Sequence, residues 1–226
     1  RDDSGSANII IQTGCDNYCT FCIVPFTRGS EVSRPLTEIV EEVQEAVKNG
    51  AKEVTLLGQN VNSYGKETRK NLWNPEELTW ESASVRTPFR ELLEALNEID
   101  GLTRIRFTSS NPHDMTRDIL DAHFDLEKCC HYLHFALQSG DNDLLKKMNR
   151  KHNYDDFKIM VDYLRSRDPF FGISTDIIVG FPGETEEQFE KTMQAFRECQ
   201  FDFAYIARYS PRKQTYAAKM PGHIPA

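Results

Sequence analysis

The sequence predicts an α/β protein built on one parallel sheet. Short apolar runs alternate with stretches of helical period along the whole chain, each run but the last is followed by a helix, and helix-boundary signals fall where the pattern changes. Strand–helix alternation argues for parallel strands joined by right-handed crossovers. Six such units fit an incomplete barrel or a doubly wound sheet. In either case chemistry belongs at the carboxyl ends of the strands.

The elements follow in order. Residues 8–12 read as a buried strand, and a polar loop with three cysteines comes next. In the helix expected over residues 35–49, Ile39, Val40, Val43, Ala46 and Val47 share one face, and Gly50 sits where a helix end favours glycine. Residues 53–57 form the second strand. A helix over 88–99, a strand over 104–108, a helix over 116–124 and a strand over 132–137 continue the alternation. Residues 141–148 and 154–167 are helical, and 172–179 form the fifth strand. Thr185 and Gln188 make a capping-box pair opening a helix that is expected to bury Phe189, Met193 and Phe196. Residues 203–209 form the last strand. The polar segment 62–87 breaks this rhythm; it leaves the second strand on the chemical face and carries Lys66, Arg69, Lys70, Trp73 and Trp80. Connections beyond about 12–15 residues are usually functional or disordered.

The chain has 226 residues and a mass of 26.0 kDa. A compact chain of this size buries roughly 70% of its surface and needs no disulfide or metal to make a core. Twelve Gly, ten Pro and six Cys exclude collagen-like, low-complexity and disulfide-scaffold classes. No run approaches the ~18 apolar residues of a membrane helix, and the first residues carry no apolar signal stretch, so no membrane partner is expected. No linker or repeat divides the sequence, which is read as one domain over 1–226. The net charge of −8 opposes a dominant grip on phosphate chains, because such binding rests on Lys and Arg. A nucleic-acid partner therefore needs a local basic patch or chain outside these residues.

Cys15, Cys19 and Cys22 lie immediately after the first strand in a C-x3-C-x2-C spacing. Clustered thiols without a signal peptide suggest metal in a reducing compartment. Three thiolates in one loop can each take a different iron of a [4Fe–4S] cube and leave one iron open to an external amine and carboxylate. A structural zinc site needs a fourth N/S ligand, available only far away in sequence. Buried, inert cysteines are the other reading. Cys129, Cys130 and Cys199 read as small buried hydrophobes, and the six histidines show no ligand pairing.

The cysteine spacing, with aromatic Phe21 before the last cysteine, resembles the radical S-adenosylmethionine (SAM) superfamily. Gly14-Cys15-Asp16-Asn17, Pro25-Phe26-Thr27-Arg28-Gly29, Ser33-Arg34-Pro35, Leu57-Gly58-Gln59-Asn60-Val61-Asn62, Gln138-Ser139-Gly140 and Asp176 through Thr185 together look like the methylthiotransferases. The Leu-Gly-Gln-Asn-Val-Asn segment is similar to the tRNA branch acting on N6-isopentenyladenosine beside the anticodon. Sister branches act on threonylcarbamoyladenosine or a ribosomal-protein aspartate. A non-catalytic iron–sulfur RNA-binding or electron-transfer module is the alternative from outside enzymes.

The resemblance implies a partial (β/α)6 TIM-like barrel, the radical SAM core. It implies that Cys15, Cys19 and Cys22 hold a [4Fe–4S] cluster with an open iron for SAM. A 5′-deoxyadenosyl radical would then take hydrogen from C2 of the adenine, and a methylthio group would follow. It places Phe21 beside the cluster and the SAM adenine, and Gly58, Gln59 and Asn60 at the SAM ammonium. It places Gln138, Ser139 and Asp176 near ribose or methionine, and Gly180 at the adenine. In this chain Phe135-Ala136-Leu137 and Asp141 depart from the usual residues around Gln-Ser-Gly. Arg28 and Arg34 are expected at the SAM carboxylate, at an RNA phosphate, or in a surface ion pair, and Trp73 and Trp80 at an unpaired base or packed on the barrel. Family members carry an N-terminal domain with a second [4Fe–4S] cluster and a C-terminal β domain for tRNA, both outside this chain. A reducing electron donor and a cytoplasmic location, with an organelle left open, complete the expectation.

Overall fold

In a computed structural model of the protein, residues 5–69 and 86–224 are described. Strand β1 (Ser6–Ile10) is followed by a short strand β2 (Gln12–Thr13), helix α1 (Val24–Arg28), β3 (Val32–Ser33), α2 (Leu36–Lys48) and β4 (Glu53–Leu57). Then come α3 (Pro88–Asn97), β5 (Arg104–Phe107), α4 (Arg117–Asp125), β6 (Tyr132–His134), α5 (Asn142–Lys147) and α6 (Tyr154–Arg167). Strand β7 (Gly172–Val179), α7 (Glu186–Cys199) and β8 (Phe203–Arg208) complete the order.

Six strands run parallel as two ladders, β1-β4-β5 and β6-β7-β8. Bridges Ile105↔Cys129 and Ser110↔Phe135 join the ladders into one sheet with β1 and β8 at its ends. This is the expected partial barrel. One face of the sheet packs under the helices: Ile9, Val54, Leu56, Ile105 and Phe107 meet Ile39 and Val43 of α2, Leu92, Leu93 and Leu96 of α3, and Ile119 of α4 in one apolar cluster. The other face is polar. Glu53 pairs with Arg104 and Arg106, Arg106 lies 5.6 Å from the Tyr132 ring, and His134 meets Asp176 at 3.2 Å.

Helix ends match their sequence signals. Thr87 accepts from the Arg90 N–H ahead of Pro88, and Thr185 with Gln188 forms the expected capping box. Three expectations need correction. Residues 8–12 are not one buried strand: Ile9 and Ile11 are buried, but Ile10 is 51% exposed on the polar face, because alternate residues of β1 point to opposite sides. Helix α7 buries Thr192, Ala195 and Cys199, whereas Met193 faces solvent one step off that stripe. The polar segment 62–87 begins buried: Asn62 and Ser63 are each 1% exposed. The Asn62 side chain donates to the Asn111 carbonyl at 2.8 Å and accepts from the Asn111 N–H at 2.9 Å. Lys70, Trp73 and Trp80 lie outside the described residues.

Candidate cofactor and substrate site

The cysteine loop leaves the sheet through a neck the sequence did not reveal. Strands β2 and β3 pair antiparallel, Gln12 against Ser33 and Thr13 against Val32. Above the neck, Cys15 N–H bonds to Gly29 O at 3.1 Å. Gly14 has φ +79° and a Cβ there would lie 2.0 Å from Ser30 O, so only glycine lets the two sides of the loop approach. The far side of the loop is clamped by the end of α5. Thr20 N–H bonds to Met148 O at 3.0 Å, its hydroxyl to Lys147 O at 2.9 Å, and Asn149 Nδ2 to Asn17 O at 3.2 Å and Tyr18 O at 2.9 Å. Ala217 N–H bonds to Thr20 O at 2.8 Å. Helix α1 inside the loop buries no residue.

All three thiols are free. Burial pushes the Cys15 thiol up to about 11, with Glu31 and Cys19 adding to it against bonds from Asn17. Burial also raises Cys22. Two donors already point at sulfur: Asn17 Nδ2 lies 3.6 Å from Cys15 Sγ, and Arg150 Nη1 lies 3.5 Å from Cys19 Sγ. Among the described residues, no three His, Cys, Asp or Glu side chains close around a point that one metal ion would fill. Donors that each take a different corner of a cube need not converge. Thiol chemistry, a shared loop and hydrogen bonds aimed at sulfur all fit a bound cubane.

The other expected residues fall into two groups. Gly58 leaves β4 against Gln12, whose Cγ would stand 2.9 Å from a Cβ. Gln12 is fully buried and donates to Asn60 O at 2.6 Å and Ser63 Oγ at 3.1 Å. Asn60 donates to Asp114 at 2.5 Å. Gln12 Oε1, Gln59 Oε1 and Asn60 Oδ1 are buried acceptors with no donor, which fits an ammonium group arriving at this strand exit. On the opposite ladder, Gln138 adopts φ +76° and its backbone bridges β7 through Asp176 O and Ile178 N–H. Gly180 (φ +72°) donates its N–H to the Glu184 carboxylate. Phe21 packs on a small apolar cluster of Leu144, Met148, Phe181 and Ala217.

Two more of the expected residues have partners within the chain. Ser139 is fully buried at the joint between α5 and α7: its hydroxyl lies 3.3 Å from Thr192 and accepts the Asp141 N–H at 3.2 Å. The Asp176 carboxylate turns to His134 on the polar face of the sheet. Arg34 is engaged locally, with Ile10 O at 2.7 Å and Glu42 at 2.5 Å, which realises its surface-pair reading. Arg28 is exposed in the last turn of α1.

Beside Cys15 opens a cleft of about 350 Å³ bounded by Asp16, Glu31, Lys66, Glu67, His113 and Asp114. Asp114 is 3% exposed; burial opposes its charge, but Lys66 and Asn60 outweigh that and hold its carboxyl below the usual range. Burial raises the Glu31 carboxyl, against a bond from Ser63. Burial lowers His113, helped by Lys66 and Lys151. Sequence reasoning passed over Gln12, Glu31, Asp114, Asn149 and Arg150, which no spacing rule connects to the cysteines.

Comparison with known proteins follows the same lines. The profile of the radical SAM superfamily matches residues 9–196. The chain is 46% identical over 225 residues to the tRNA-2-methylthio-N(6)-dimethylallyladenosine synthase of Caldicellulosiruptor saccharolyticus, covering 100% of this chain and 45% of that protein. It is 47% identical over 216 residues to the synthase of the same name from Alkaliphilus oremlandii, covering 96% and 43%. The chain thus spans less than half the length of these curated relatives. Among solved structures, it resembles the radical SAM methyltransferase TsrM from Kitasatospora setae with cobalamin and [4Fe-4S] cluster bound (TM-score 0.71, 15% identity, 94% of this chain and 38% of that one). It also resembles coproporphyrinogen III oxidase from Escherichia coli (TM-score 0.61, 16% identity, 95% and 46%). At such identities the likeness concerns the fold.

Proposed function

This chain belongs to the radical SAM superfamily, and from that membership we propose that it is the catalytic core of a tRNA methylthiotransferase acting at C2 of N6-isopentenyladenosine next to the anticodon. The observation that carries this reading is the cysteine tripod at the carboxyl end of the sheet, with hydrogen-bond donors turned toward two of its sulfurs. The names of the relatives, at 46% and 47% identity, support the substrate.

Cys15, Cys19 and Cys22 would hold the [4Fe–4S] cluster and leave one iron for SAM. When bound, that pair supplies one-electron cleavage of a sulfonium carbon–sulfur bond, chemistry that belongs to the cofactors. The chain's own residues position it. Asn17 and Arg150 hydrogen-bond to ligand sulfur, which tunes a cluster's potential. The donorless acceptors of Gln59 and Asn60 would receive the SAM ammonium. Phe21 gives one apolar wall. Gln138 and Gly180 present backbone in left-handed conformations at the exits of the opposite ladder.

The same reading assigns residues 1–226 to one core domain, with a second-cluster domain and an RNA-binding β domain in flanking chain. The charge of −8 supports tRNA binding mainly through those flanks. A cytoplasmic setting and a low-potential electron donor accord with free thiols, and no helix among the described residues is long and apolar enough to cross a membrane.

The test is anaerobic reconstitution of this core with iron and sulfide, then dithionite and SAM. 5′-Deoxyadenosine is the expected product, and Cys19→Ala should abolish both the cluster absorption and the product. A cluster-loaded sample that makes none overturns the enzyme reading in favour of a binding or electron-transfer module. Assay of the full-length parent on isopentenylated against threonylcarbamoylated tRNA separates the two tRNA branches.

A further inference from the structure

The cleft beside Cys15 is bounded by none of the residues expected to hold SAM. It adjoins the strand exit after β4, since Asn60 donates to Asp114 of its wall, and it abuts the cysteine loop: Asp16 and Asn17 form part of its wall, and Asn17 also touches Cys15 Sγ. A group seated there lies next to the cluster. At about 350 Å³ the cleft is at the small end of ligand sites, suited to one base and not to a whole nucleotide chain.

The chemistry of the wall is specific. Glu31 is held in place from two sides: Ser63 Oγ donates to one oxygen at 2.8 Å, and the Asp16 N–H approaches the other at 3.5 Å. Its own N–H bonds to Asp16 at 3.3 Å, which ties it to the cysteine loop. A carboxylate has about four lone-pair sites, so acceptor capacity remains. Glu67 accepts the Ser33 N–H at 2.6 Å on one oxygen, while its other oxygen is buried with no donor. His113 and Lys151 bring donors to the same cleft. A ligand that offers an N–H beside ring acceptors satisfies such a wall; a phosphate or carboxylate meets Glu31 and Glu67 with like charge. An adenine with one alkyl group on its exocyclic nitrogen is such a ligand, since it keeps one N6–H flanked by ring nitrogens.

We propose that this cleft receives the target base, and that Glu31 is a specificity-determining residue that accepts a hydrogen bond from its N6–H. The inference rests on the reading of the parent as an isopentenyladenosine enzyme and adds to it the group that recognises the base.

The experiment uses the full-length parent with its clusters loaded, and anticodon stem-loop RNAs bearing either N6-isopentenyladenosine or its N6-methyl-N6-isopentenyl analogue, which lacks the N–H. The unmodified enzyme is expected to bind the first about 10- to 100-fold more tightly, the range of a hydrogen bond to a charged group. Glu31→Leu should bring the two within about threefold of each other, by weakening the first. Glu31→Gln, isosteric and still an acceptor but uncharged, should give an intermediate ratio, and it carries the test should Glu31→Leu not load iron. Discrimination that is unchanged in a cluster-loaded Glu31→Leu or Glu31→Gln enzyme overturns the assignment, as does an unmodified enzyme indifferent to the N–H. Failure of the unmodified enzyme to bind or modify the isopentenylated stem-loop at all instead overturns the function on which the assignment rests.

Discussion

Phe89 and Cys15 are both buried, but different forces surround them. Phe89 sits with no exposed surface in the helical jacket, edge-on to Phe107 at 5.0 Å and among Leu92, Leu93 and Leu96. Cys15 is 9% exposed in a loop whose short helix buries nothing and whose shape rests on hydrogen bonds from α5, Gly29 and Ala217. The jacket is held by apolar area removed from water. The loop is held by polar groups whose net contribution is small, about 1 kcal/mol each. Stability and cofactor capacity are therefore stored in separate parts of the molecule, and damage to one should leave the other readable.

The strongest way to test this separation is Phe89→Ala. It should cost about 3–5 kcal/mol of unfolding free energy, measured by denaturant titration, while the fraction that remains folded still binds its full complement of iron. Loss of iron in proportion beyond loss of fold would break the comparison. A second test is acid. Burial lowers His123 to about 4 and His152 to about 3, from 6.5. Both are neutral in the fold, so the unfolded chain takes up their protons first. Stability is complete above pH ~6.5 and falls below it by about 1.4 kcal/mol per pH unit for each histidine, down to the folded values. Replacing His123 with a neutral isostere should flatten the decline in a pH series of unfolding curves; an unchanged slope would show that other groups drive it. The smallest effect is expected from Asn149→Ala, which removes the two bonds to Asn17 O and Tyr18 O. Global stability should drop by only about 2 kcal/mol, but the cluster should be lost faster on exposure to a chelator. A chelation rate equal to that of the unmodified protein would mean that the clamp does not hold the loop.

The two regions also differ in how far they can be read from the residues. The jacket announces itself. The stripe of Ile39, Val40, Val43, Ala46 and Val47 and the capping pair Thr185 and Gln188 lie within single helices, and both appear as expected. Local signals fail where two faces compete. Met193 looks like core beside Phe189 and Phe196, yet the face that meets the sheet runs through Thr192, Ala195 and Cys199. Ile10 sits in an unbroken apolar run, but the alternation of the strand turns it to the polar face of the sheet.

Of the candidate site, only the cysteine trio was legible. A thiol trio at short spacing is a local property of eight residues, and its chemistry follows from sulfur alone. Ser139 illustrates the limit: the structure turns its hydroxyl to Thr192, 53 positions away, a partner that no local pattern names.

By itself, the amino-acid order determined the alternation of strands and helices, the end of the sheet where chemistry is expected, and the clustered cysteine trio. These depend on side-chain period and on bonds within one short segment. The tertiary structure alone decided that α5 clamps the cysteine loop, that Gln12, Asn60 and Asp114 form one buried chain, and that Glu31 faces a cleft beside Cys15. Those contacts join residues 15 to 132 positions apart. No local periodicity encodes such pairings; they exist only once burial of the jacket has fixed where each strand ends.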